Sequence, residues 1–108
     1  MKISIITITF KAEATLEKTL NSVLNQSYKN IEHIIVDGGS KDKTLEICKN
    51  FSHISKIISE KDKGVYDAFN KGLKLASGDV IGFLNADDFF YSENSVQEIV
   101  NAFDSNTD

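Results

Sequence analysis

The chain has 108 residues, 41% hydrophobic and 26% charged, a balance that suits one soluble globular domain and excludes a disordered chain. A formal net charge of −4 and a pI near 5.1 exclude the broad basic surface a nucleic acid requires, so no nucleic-acid partner is expected. The single cysteine, Cys48, excludes an internal disulfide and a cysteine-based metal cage.

No apolar run approaches the roughly 20 residues that span a bilayer. Met1-Lys2 leads straight into a strand-like segment with no cleavage site behind it, unlike a signal peptide. A cytoplasmic location is expected, with any peripheral attachment to the inner face of the membrane lying outside these residues.

Ile3 to Phe10 is dense in β-branched residues, as a buried parallel strand requires. A helix from about Thr15 to Asn25 sets Leu16, Leu20, Val23 and Leu24 on one face. Ile31 to Asp37 reads as the second strand, closed by Gly38-Gly39-Ser40. A second helix carries Leu45, Ile47, Cys48 and Phe51, with Cys48 read as a buried small hydrophobe. The third strand covers about Ser55 to Ser59. A third helix follows Gly64 with Val65, Ala68, Phe69, Gly72, Leu73 and Ala76 as its stripe, leaving through a left-handed turn at Ser77-Gly78. Asp79 to Leu84 is the fourth strand. The last helix spans about Ser95 to Phe103, with Ser95 and Glu98 as a capping box and Val96, Ile99, Val100 and Phe103 at helical spacing. Asp104 to Asp108 reads as a polar tail.

This alternation predicts an α/β fold: a mostly parallel, Rossmann-like sheet, helices on both faces, one domain over 1–108. Ligands of such folds sit at the carboxyl ends of the strands. Three groups of residues gather there. Asn85-Ala86-Asp87-Asp88 brings two carboxylates to the fourth strand's end, where they either hold a Mg²⁺ or Mn²⁺ that bridges a diphosphate or precede and favour the last helix. Asp37-Gly38-Gly39-Ser40 is either a place where ligand approaches the backbone or a tight turn with Ser40 capping the next helix. In Glu60 to Gly72, Lys63 and the amides at the helix start suit an anion. Asp67, Asn70 and Lys71 share a helical face that is otherwise simply solvated. No GxGxxG or GxxxxGK[ST] motif is present. His33 and His53 have no partner at metal or triad spacing.

Together these segments resemble the inverting glycosyltransferases of family 2, which have the GT-A fold. The likeness is carried by Ile3 to Phe10, Leu20 to Tyr28, Ile35 to Asp42, Asp62 to Gly72, Gly78-Asp79 and Phe83 to Asp88. It implies transfer of a sugar from a nucleotide-diphosphate donor, UDP-linked, to a saccharide or lipid-linked acceptor, with a divalent metal. Thr9, Asp37, Asn70, Lys71, Asn85 and Ala86 then border the nucleotide, Asp37 contacting its base, and Asp87 with Asp88 holds the metal. The sequence departs from the family at Gly38, where a second acid is usual, at Asn85 in the DxD-like motif, and at Ile8 and Lys11, where proline and asparagine are usual. Nothing after Asp88 matches the family's catalytic base. The resemblance therefore implies a base beyond Asp108, and a truncated donor-binding portion that is inactive alone and self-associates through uncovered surfaces. The alternatives are a non-catalytic nucleotide-binding module using the same cleft, a nucleotidyltransferase, whose basic glycine-rich loop is missing after the first strand, and a plain interaction domain.

Overall fold

A computed structural model describes residues 1–105. The elements alternate as expected: β1 (Ile3–Thr9), α1 (Leu16–Leu24), β2 (Ile31–Asp37), α2 (Thr44–Lys49), β3 (Ile54–Ser59), α3 (Val65–Leu75), β4 (Val80–Phe83) and α4 (Ser95–Ser105). The four strands form one parallel sheet in the order β3-β2-β1-β4. Ile3 stands opposite Ile31 and Thr9 opposite Asp37, so β1 and β2 end together. β1 stops one residue short of Phe10 because Lys11 turns the chain into the left-handed region (φ 51).

Strand side chains alternate between two faces. Ile3, Ile5 and Ile35 pack under α1, α2 and α4, against Leu16, Leu20, Val23, Cys48, Val96 and Val100. Ile6, Ile34 and Val36 pack on the opposite face against Ala68 of α3. Helices therefore cover both faces, as expected. Burial pushes the Cys48 thiol up to about 11, so it behaves as a small core hydrophobe. Among the described residues no helix is long and apolar enough to cross a membrane.

Several local expectations are corrected. Ala76 at the end of α3 is extended (φ −72, ψ 136), and Gly78 is not in the left-handed region. Gly78 is needed for closeness, since a Cβ there would lie 2.5 Å from Ser4 Oγ and 2.7 Å from Ser4 N. Val65 and Leu73 are exposed, and α3 meets the sheet through buried Ala68 and Gly72 and partly buried Leu75. Ile99 and Phe103 are likewise partly exposed on α4. Ser95 and Glu98 form no capping box: Ser95 Oγ donates to Ser92 O, and the Val96 N–H is taken by buried Gln26 at 2.9 Å. Instead of a tail after Phe103, α4 continues to Ser105, and residues 106–108 lie outside the described ones.

His33 and His53 do have a partner, each other. His33 is fully buried, with Nδ1 3.1 Å from His53 Nε2 and Nε2 2.8 Å from Thr7 Oγ1. Burial, and secondarily His53, holds the His33 pKa down to about 3 from 6.5. The unfolded chain therefore takes up a proton near pH 6.5 that the folded chain refuses, and stability falls as pH drops below 6.5. Moving from pH 7.5 to 5.0 is expected to cost about 2 kcal/mol through this residue, read by urea unfolding. His33→Gln should flatten that dependence; an unchanged slope in the variant would contradict it. Glu32 acts in the same direction at lower pH. Burial pushes its carboxyl up, but hydrogen bonds from Ser77 and Ser4 and the ammonium of Lys2 outweigh this and hold it at about 2.

Candidate functional site

The site begins with the buried carboxylate of Asp37 at the end of β2. Its Oδ1 accepts from Thr9 Oγ1 (2.7 Å) and Ser40 Oγ (2.7 Å). Its Oδ2 accepts from the N–H groups of Gly39 (3.0 Å) and Ser40 (2.8 Å) and from Ser59 Oγ (2.8 Å). Burial alone would raise the carboxyl pKa, yet these donors outweigh it and hold the group below the usual carboxylate range. Asp37 thus stays ionised and fixes the ends of β1, β2 and β3 against one another. Gly39 has φ 88, which lets two consecutive amides point back at the carboxylate. Ser40 is engaged here rather than capping α2, where Asp42 takes the Thr44 N–H. Ser40 Oγ also accepts from the Lys11 N–H at 2.8 Å, which ties the left-handed turn after β1 to the same carboxylate.

Above this floor runs a cleft with two lobes. The first, about 340 Å³, lies between the ends of β1 and β2 and the start of α3, lined by Thr9, Gly38, Lys61, Asp62, Gly64 and Ala68. The second, about 320 Å³, reaches across β1 towards the end of β4, lined by Lys11, Ala12, Thr15, Asn85, Ala86 and Asp87. Ile8, Phe10 and Val65 line both lobes, so the two adjoin as halves of one cleft along these residues. The Lys11 ammonium sits 5.2 Å from the centre of the Phe10 ring.

Helix α1 fixes the acidic loop after β4. Thr15 Oγ1 and Thr19 Oγ1 each lie 2.9 Å from the Ala86 carbonyl, and Thr19 Oγ1 is 2.5 Å from the Asp88 carbonyl. Ala86 is buried between α1 and the sheet, leaving its neighbours Asn85 and Asp87 facing outwards. The Asp87 carboxylate is exposed in the second lobe and makes no hydrogen bond or ion pair among the described residues. Asp88 faces away from both lobes, its Oδ1 accepting from the Phe89 N–H.

No three acidic, histidine or cysteine residues converge as a metal cage among the described residues. One free carboxylate beside open space nevertheless fits a hard divalent ion that takes its remaining oxygens from phosphate and water.

The structure brings Thr9, Asn85, Ala86 and Asp87 to this cleft, whereas Asp37 is fully buried, bonded to Thr9, and lines neither lobe. Asn70 is exposed and lines neither lobe. Lys71 lines neither lobe but supports one, its ammonium lying 2.6 Å from Asp62, 3.2 Å from Glu60 and 3.4 Å from Asp67. The hydrogen bond to Asp62, with the neighbouring acids, holds Lys71 above the usual lysine range. Sequence reading assigned no role to Phe10, Thr15, Thr19, Lys61 or Asp62. The four-residue spacing of Thr15 and Thr19 on an otherwise apolar helix face was the available signal for the loop clamp.

Comparison with known proteins bears on the family and the fold. The description Glycosyl transferase family 2 matches residues 4–108. Glycosyltransferase GlyA of Streptococcus pneumoniae serotype 4 is 38% identical over 105 residues, covering 92% of this chain and 15% of its own. An uncharacterized glycosyltransferase of Haemophilus influenzae is 41% identical over 95 residues, covering 84% of this chain and 38% of its own. Among solved structures, TarS 1-349 of S. aureus in complex with UDP-GlcNAc superimposes with a TM-score of 0.88 at 26% identity, covering 97% of this chain and 32% of that one. The chain thus spans well under half the length of these relatives.

Proposed function

The chain belongs to glycosyl transferase family 2, and on that footing we propose that it binds the nucleotide-diphosphate sugar, UDP-linked, in an inverting sugar transfer to a saccharide or lipid-linked acceptor. The observation that carries this reading is the continuous two-lobed cleft with a free carboxylate, Asp87, in one half and a mainly apolar slot in the other. The slot suits a nucleobase; the second lobe suits the diphosphate and the sugar. The UDP-GlcNAc bound by TarS, whose fold this chain shares, supports a uridine-type donor.

In this reading Asp87 would be the ligand of a Mg²⁺ or Mn²⁺, and Asp88, which faces away from both lobes, leaves that role to it. The ion, when bound, neutralises the charge that develops on the departing nucleoside diphosphate. Thr15 and Thr19 keep Asp87 aimed into the lobe by gripping the backbone on either side of it. The Lys11 ammonium faces the same lobe and offers a second positive charge to the phosphates. Asn85 offers an amide to a ribose hydroxyl. Inversion further needs a base to deprotonate the acceptor hydroxyl, which we assign to residues outside these 108.

Titration calorimetry of the chain with UDP tests this. UDP is expected to bind with Mn²⁺ and at least about tenfold more weakly without it, and Asp87→Ala should remove that dependence, a loss of ~1.4 kcal/mol or more. Because Asp87 is exposed and unpaired, the variant should unfold within about 0.5 kcal/mol of the parent. Equal binding in EDTA, or an unchanged Mn²⁺ effect in the variant, would count against the assignment.

A further inference from the structure

The first lobe has an acid of its own, and the surrounding residues fix its position. The Asp62 side chain is only 14% exposed. Its Oδ1 is held 2.6 Å from the Lys71 ammonium, which is itself braced by Glu60 and Asp67. Its Oδ2 stands on the other side, 3.0 Å from where a Cβ on Gly38 would lie, and accepts no hydrogen bond among the described residues. The same virtual Cβ would come within 3.4 Å of the Phe10 ring. Gly38 has ordinary backbone angles, so no turn demands glycine there; what demands it is the carboxylate and ring standing over it. A Cβ at 38 would press on the Asp62 carboxylate and touch the Phe10 ring, and an acid would add like charge beside Asp62.

The lobe thus has walls of Ile8, Phe10, Val65 and Ala68 and a single pre-oriented carboxylate, with Lys61 bringing positive charge to the same wall. Asp37, the acid expected to meet the base, already accepts from five internal donors and is fully buried. A flat heterocycle seated between the apolar walls would present its edge to Asp62. An ionised carboxylate only accepts hydrogen bonds, so it favours a ring N–H and opposes a ring nitrogen lone pair.

We propose that Asp62 is the specificity-determining residue for the nucleobase, accepting on Oδ2 from a ring N–H of the kind uracil, thymine and guanine carry at the edge where cytosine and adenine carry a lone pair. Lys71 is its positioning residue, and Gly38 keeps the space between acid and base open. This rests on the donor-binding reading above and deepens it.

Calorimetry in the presence of Mn²⁺, with UDP, CDP and inorganic pyrophosphate as probes, tests the inference. The parent chain is expected to prefer UDP over CDP by at least about tenfold. Asp62→Asn should collapse that ratio towards one while pyrophosphate binding stays as in the parent, separating the base lobe from the metal and phosphate lobe. Gly38→Ala, which alters neither the acid nor its lysine but sets a methyl group against the Asp62 carboxylate, should weaken UDP and spare pyrophosphate. The Gly38 variant keeps the inference testable if Asp62→Asn fails to fold. UDP and CDP binding the parent equally, or Asp62→Asn keeping the parent's ratio, would overturn the Asp62 assignment and leave the donor site standing. A parent chain that binds none of the three probes would overturn both.

Discussion

Asp37→Ala is expected to destabilise the chain by about 3–5 kcal/mol. The carboxylate is the shared acceptor for three hydroxyls and two backbone N–H groups, drawn from the ends of β1 and β3 and the loop after β2. Its removal leaves Thr9 Oγ1 and the paired amides of Gly39 and Ser40 without acceptors in a place with little room for water. Unsatisfied buried donors cost roughly 1–3 kcal/mol each, and the hydroxyls recover part of that by turning elsewhere. Asp37→Asn keeps the shape but turns one acceptor into a donor facing donors, so it should cost only slightly less. Urea denaturation gives both values. A loss below about 1 kcal/mol for the alanine variant would mean that water or a backbone carbonyl readily replaces the carboxylate.

Gly78→Ala should cost about 3 kcal/mol or more, by a different route. A Cβ at this position would meet Ser4 Oγ at 2.5 Å, Ser4 N at 2.7 Å and the Lys2 carbonyl at 2.9 Å. Two of these are backbone atoms of β1 and its lead-in, which cannot swing aside as a side-chain tip can. The segment before β4 would have to lift off, breaking the Asp79 N–H bond to Lys2 O (2.7 Å) and the Gly78 N–H bond to Ser4 Oγ (2.8 Å). Ser4 Oγ in turn donates to Glu32, so the ion pairs of buried Glu32 with the partly exposed side chains of Lys2 and Lys56 lose part of their support. Gly82→Ala is the control. Its Cβ would touch only Ile5 Cδ1 at 3.5 Å, an ordinary contact, and it should stay within about 1 kcal/mol of the parent.

These two residues mark where sequence reading reached and where it stopped. The order of elements was legible because apolar residues cluster in short β-branched runs and then recur at helical spacing; β2 was placed at Ile31–Asp37, where it lies. The place of the cleft was legible too, since a parallel sheet directs the ends of all its strands to one edge. Partners far apart in sequence were not legible. The fivefold coordination of Asp37 joins residues 9, 39, 40 and 59, and the reason for Gly78 lies at residues 2 and 4. Val65 and Leu73 fitted a helical stripe, but close packing of Ala68 and Gly72 on Ile6 turns α3 so that the larger residues face outwards. Cross-strand neighbours such as Thr7 and His33, or a loop histidine returning to a buried one, likewise depend on register, which composition does not encode.

On the proposed reading one cleft takes a nucleobase in the lobe beside Gly38 and Asp62 and a metal-bridged diphosphate in the lobe beside Asp87. Amide NMR of the chain titrated with UDP tests it most directly, with Mg²⁺ in one series and trace Mn²⁺ in a second. UDP-induced shifts are expected at Gly38 and from Lys61 to Val65, with paramagnetic broadening centred on Asn85 to Asp88 and on Lys11 and Ala12 alongside. Broadening centred on another acidic surface, or UDP shifts confined to the small cavity between Tyr28 and His53, would contradict that reading.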